Sequence, residues 1–187
     1  MLFSRLMAAV AASVALLAGA LANAAPVDLN QWYVFGFDGP GTVLYEGSCC
    51  SGTLSIPAPN TPWTFTLTGG AELVVVDGFA TGDQFELFNF GTSLGLTSVP
   101  VIGGDCGADE LACLADSDAS SGFFILGAGS YAITGIAVQS PFGAGAGFFI
   151  IRSTPSIVAE PGSLALLGLG VAMLGFIGRR PARHTTA

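Results

Sequence analysis

The sequence contains no lysine, and its one histidine, His184, stands close to the chain's end. The missing lysine excludes Schiff-base and Ser–Lys chemistry. The placement of His184 keeps Ser–His and Cys–His machinery out of the middle of the chain. Basic charge is equally scarce. It is confined to Arg5, Arg152, Arg179, Arg180 and Arg183, and only Arg152 lies away from the termini. Twelve of the 13 acidic residues share that middle stretch with Arg152, a net charge of −11 against −8 for the whole chain. Such a surface repels phosphate backbones, so nucleic acid is excluded as a partner. It suits divalent cations, or solubility outside the cell. Charged residues make up only 10% of the 187, hydrophobic residues 51%, a balance that excludes disorder and supplies one core.

Part of that hydrophobicity belongs to the ends. Arg5 precedes an apolar run from Met7 to Leu21, and Ala22-Asn23-Ala24 follows with the small residues of a cleavage site. The run is short against the roughly 20 residues of a membrane span. Residues 1–24 therefore read as a signal peptide cut between Ala24 and Ala25, which implies passage through the Sec translocon. Export makes disulfides the expected state of Cys49, Cys50, Cys106 and Cys113. Cys106 and Cys113 bracket a short loop and form the favoured pair. Cys49 and Cys50 are then a vicinal bridge or free thiols, and the alternative is crossed pairing between the two sets. Zinc is disfavoured because the spacings are not those of paired metal knuckles and no histidine accompanies them.

At the other end, a breaker, Glu160-Pro161-Gly162, is followed by 16 uncharged residues, Ser163 to Gly178, and then by Arg179, Arg180 and Arg183. As a helix the run would cover about 24 Å, slightly less than a hydrocarbon core, and flanking arginines extend such a span by snorkelling. The arginines predict a cytoplasmic tail, 179–187, and an exported main domain. The order of Glu-Pro-Gly-Ser, a leucine- and glycine-rich span and an arginine cluster resembles the PEP-CTERM sorting signal of exopolysaccharide-producing Gram-negative bacteria. The resemblance implies an inner-membrane intermediate recognised by an exosortase and processed around Ala159 to Pro161, then delivery to the outer surface or matrix, with exopolysaccharide or biofilm material as the associate. Ala159 stands where the family has proline.

Residues 25–155 read as one all-β domain, joined by a linker and sorting motif at 156–162 to the transmembrane helix 163–178. Short β-rich runs alternate with Gly, Pro, Asn and Asp clusters. Trp63 to Thr68 alternates apolar residues with threonine. Further strands are expected at Gln31–Phe37, Glu72–Val76, Gln84–Phe90, Gly122–Leu126, Tyr131–Val138 and Gly147–Ile151. A turn is expected at Asp77-Gly78, and another at Ala128-Gly129-Ser130 joining the fifth and sixth runs. No helical pattern is evident. This predicts an antiparallel β-sandwich, jelly-roll-like in first place and immunoglobulin-like in second, with the two-sided apolar strand Gly147–Ile151 at its centre. Gly82-Asp83-Gln84-Phe85, Gly91 to Pro100, Asp105 to Asp118, Ser120 to Gly129 and Ser140 to Gly147 also resemble a domain common among PEP-CTERM proteins, in which the Ser120–Gly129 segment is a hairpin.

No catalytic constellation is apparent, so the domain reads as non-enzymatic. A secreted glycosidase would need two carboxylates, for which Glu46, Glu72 and Glu86 are candidates, yet nothing in the sequence brings a pair together. The acidic loop with Asp105, Asp109, Glu110, Asp116 and Asp118 offers Asp116, Asp118 and Ser120 as alternating oxygen ligands for calcium, the one cofactor to consider. Its glycine comes one position late for an EF-hand and the terminal glutamate is missing, so a solvated, disulfide-stapled loop explains it more simply. A carbohydrate-binding module is the other alternative. Trp63 shares a core face with Phe65 and Leu67, whereas Trp32 and Tyr33 point to opposite faces, which would leave one of them open to a sugar.

Overall fold

The computed structural model describes residues 25–47 and 50–153. Ala24, Cys49, the motif Ala159–Gly162, the apolar span, and Arg179 and Arg180 lie outside them.

Two sheets pack face to face. One holds five strands in the order β1 (Ala25–Pro26), β5 (Trp63–Leu67), β10 (Gly129–Gln139), β7 (Gln84–Asn89) and β8 (Thr92–Leu96). The other runs β3 (Tyr45–Glu46), β2 (Trp32–Phe37), β11 (Gly145–Ser153), β6 (Ala71–Asp77) and β9 (Ser121–Leu126), with β4 (Ile56–Pro57) pairing β2 at one side. Pairing is antiparallel except for the two-residue strands β1 and β4, which run parallel to β5 and β2. The all-β class and all seven expected strands are present, each within two residues of its expected ends.

Alternation sets the core. Trp63, Phe65 and Leu67 point inward while the threonines between them face out. From the facing sheet come Tyr33, Phe35, Leu73, Val75, Phe149 and Ile151. Aromatic rings dominate the contact: Trp63 stacks on Phe149 at 3.9 Å between centroids, and Phe35 meets the ring of Phe85 edge-on. Trp32 and Tyr33 do point to opposite faces, but both are buried, so neither is open to a sugar. The reason is that the six-stranded sheet is covered on both sides. Tyr33 packs in the inner core, and Trp32 joins Val34, Val74, Val76, Phe148 and Ile150 in a second apolar cluster on the outer face. The guanidinium of Arg152 sits over the Trp32 ring, 5.6 Å from its centroid. Strand β11 lies at the centre of that sheet, as its two-sided hydrophobicity implied.

The cover on the outer face is the acidic loop, which packs through Cys113 and Ala119 while Asp105 and Asp109 stay exposed. It contains a helix, α1 (Glu110–Ala115), that the sequence did not announce, because one and a half turns are too short for an amphipathic period to register. Asp109 caps it, Oδ1 accepting from the N–H groups of Leu111 and Ala112. Cys113 and Ala119 are buried against the sheet. The expected turn at 128–130 is also displaced. β10 begins at Gly129, and β9 and β10 belong to different sheets, so this connection crosses the sandwich instead of closing a hairpin. A tight hairpin joins β7 to β8 through Phe90-Gly91, both at positive φ.

Candidate functional site

Strand β6 buries Ala71, Leu73 and Val75 on its inner face, and the same parity carries Asp77 inward at the strand's end. The chain then turns back through residues 78–83 into β7. Asp77 organises this turn: Oδ2 accepts the N–H groups of Gly82 and Asp83, each at 3.0 Å. The turn is also zipped to the acidic loop: the Phe79 N–H donates to the Gly107 carbonyl, the Phe79 carbonyl accepts from the Cys106 N–H, and Thr81 bonds Gly103 and Gly104. At the turn's end Asp83 is 5% exposed, and Asp77 is wholly buried. Oδ1 of each has no hydrogen-bond partner.

Beside this pair opens a pocket of about 310 Å³. Tyr45, Phe79 and Phe142 supply its aromatic walls, the Ala144–Ala146 backbone its small-residue side, and Asp83 its carboxyl; Cys50 stands at its edge. The Tyr45 hydroxyl is engaged with Oδ1 of Asp38. Two of the segments singled out in the sequence, Gly82–Phe85 and Ser140–Gly147, thus meet at one place, the second held by the Ser140 hydroxyl donating to the Gly143 carbonyl.

Burial shapes the electrostatics. Desolvation raises the Asp77 carboxyl from 3.8 to about 7, and the neighbouring Asp83 charge pushes the same way, against backbone bonds that favour ionisation. Asp83 is also raised, again by burial, against hydrogen bonding to Ser140 and to Asp77. At neutral pH the two carboxyls form a coupled pair able to share a proton or a positive ligand.

The residues picked out in the sequence are dispersed. Cys106 and Cys113 are joined in a disulfide, as favoured, which rules out crossed pairing for them, and Cys50 is a free thiol. Asp116 and Asp118 lie on the acidic loop, Oδ1 of Asp116 accepting the N–H of Asp118. Ser120 is buried, its hydroxyl in hydrogen-bond contact with Thr97 Oγ1 and the Ser98 carbonyl. Asp105 closes a turn onto the N–H of Gly107. Glu110, wholly buried, grips the 52–55 loop through the N–H groups of Leu54 and Ser55. Among the described residues no three His, Cys, Asp or Glu side chains converge as a metal-binding group. Glu46 and Glu72 stand on separate strands of the six-stranded sheet, and Glu86 is on the outer side of the other, bonded to Ser93. Ala25, the expected new N-terminus, opens β1 beside Trp63. Sequence reasoning missed Asp77 and Asp83; strand parity was the signal that could have found the first.

Comparison with family models, with curated proteins and with solved structures gives no match to this chain.

Proposed function

We propose that this is an exported cell-envelope protein of the PEP-CTERM kind, presented to an exosortase by its C-terminal segment and delivered to the outer surface or matrix, where its domain acts without catalysis in association with exopolysaccharide. The observation that carries the reading is the order of parts along one chain: a leader, a disulfide-bearing sandwich, Glu160-Pro161-Gly162, an uncharged run and an arginine block. The Cys106–Cys113 bridge suits an oxidising compartment and supports export independently of the terminal sequences. The order β2-β11-β6-β9 facing β5-β10-β7-β8 supports a jelly roll, a fold common to binding and coat proteins. Against hydrolysis stands the geometry of the acid pair. Asp77 is wholly buried and only Asp83 lines the pocket, whereas glycosidases hold two accessible carboxyls about 5 Å or more apart.

Mass spectrometry of the mature protein from its host tests the reading. The expected species begins at Ala25 and ends near Ala159 to Pro161. Retention of Arg179 and Arg180 in the surface fraction would overturn exosortase processing.

A second reading, a carbohydrate-binding module, is favoured by one observation: the aromatic-walled pocket with a carboxyl in its lining. The aromatics are Tyr45, Phe79 and Phe142 in place of Trp32 and Tyr33.

A further inference from the structure

The pocket beside the acid pair has a chemistry that narrows what it can hold. Its lining side chains are aromatic, alanine or glycine, apart from Cys50 at the edge and Asp83. Asp83 is more than nine-tenths buried and keeps Oδ1 without a partner, and behind it the wholly buried Asp77 does the same. An unpartnered carboxylate oxygen in a desolvated place is costly, and a native structure that keeps two side by side asks for an explanation. Arg152, the one base between the two terminal segments, is stacked on Trp32 at the outer face of the six-stranded sheet.

Three ligand classes can be compared. An anion is repelled by Asp83 and by the domain's net −11. A bare calcium ion takes six to eight oxygens, and Asp83 is the one carboxylate in the lining. A protonated amine needs only what is present. It donates to the Asp83 carboxyl, neutralises the buried charge, and lies against aromatic faces that attract cations. The volume, about 310 Å³, is at the small end of ligand pockets and takes a six-membered ring with its substituents.

We propose that this pocket binds a small organic cation, a protonated amine on a ring-sized body, with the ammonium at the Asp83 carboxyl and the body against Phe79 and Phe142. The inference rests on the binding-module reading and is independent of the sorting one. Amino sugars are one source of such a group and simple cyclic amines another.

Isothermal titration of the full chain in detergent micelles distinguishes them with two isosteric pairs: glucosamine against glucose, and cyclohexylamine against cyclohexanol. At least one amine is expected to bind tenfold or more tightly than its neutral partner. Asp83→Asn should abolish that preference. Phe142→Ala, at an exposed position where folding is not at stake, should weaken the amine several-fold. Preference for glucosamine alone assigns the amino-sugar source, and preference for cyclohexylamine the simple amine. Equal binding of amine and neutral partner would overturn the amine assignment while leaving a binding module. Binding of none of the four would overturn both.

Discussion

Asp83 donates its backbone N–H to Oδ2 of Asp77 at 3.0 Å, so the residue that needs the turn's carboxylate also burdens it with a second negative charge. The pair is therefore built for position, at the expense of easy ionisation.

That arrangement fixes the sign of a pH dependence. The folded chain holds the Asp77 proton up to about pH 7, whereas the ordinary value is 3.8. Between these values the folded state binds more protons than the unfolded state, so stability falls as pH rises through the window and levels off above it. Asp83 adds a slope of the same sign. Guanidinium denaturation should show lower stability at pH 8 than at pH 5. Asp77→Asn keeps an oxygen for the two N–H donors and removes the titration. Its profile should be flatter, and it should exceed the parent at pH 8 by roughly 1–4 kcal/mol. Parallel profiles for parent and variant would sink this account.

Glu110 ties α1 to the 52–55 loop, and the fit is close. A Cβ on Gly52 would come within 1.9 Å of Oε1, so this glycine is required by the approach of the carboxyl. Glu110→Ala leaves the N–H groups of Leu54 and Ser55 without their acceptor and should cost about 2–4 kcal/mol. Glu110→Gln retains one oxygen and should lose less than half of that. Denaturant midpoints of the three chains decide it, and a neutral alanine variant would refute the role.

The hairpin tip carries a local strain that a substitution should relieve. Phe90 is 69% exposed and sits at φ +47°, a conformation bulky residues rarely adopt, followed by Gly91 at +79°. Two positive φ values define the turn that Asn-Gly serves best. Phe90→Asn should stabilise the domain by about 0.5–1 kcal/mol in thermal or denaturant unfolding. An unchanged or lowered midpoint would mean that the ring contributes something its exposure does not suggest.

The sequence revealed strands where polarity alternated, as in Trp63–Leu67, and the Cys106–Cys113 pair by its short loop. It concealed β8, because Thr92-Ser93-Leu94-Gly95-Leu96 has the composition of a loop and its position at a sheet edge demands little hydrophobicity. α1 was hidden by its length. The candidate site was hidden because Asp77-Gly78 signals a turn and turns commonly face water, whereas inward parity from Ala71 onward decides where the carboxyl goes. Asp83 could be placed only once Ser140–Gly147 had been brought beside it, which is long-range information.

Gly147 opens the strand expected at Gly147–Ile151, and with Gly145 it lies on the core-facing row of β11, opposite Phe35 and Phe37 of β2 in register. Their lack of a side chain is what admits those rings. A Cβ on Gly147 would meet Phe35 Cζ at 2.6 Å and the Val76 carbonyl at 2.9 Å. Gly147→Ala should therefore destabilise the domain by about 1–3 kcal/mol through overpacking. In a double-mutant cycle, Phe35→Leu should soften the penalty, giving a coupling of roughly 1 kcal/mol, and the residual cost belongs to the immovable carbonyl. Strict additivity of the two substitutions would show that the ring and the glycine are not packed as partners, and the complementarity of β2 and β11 would need another basis.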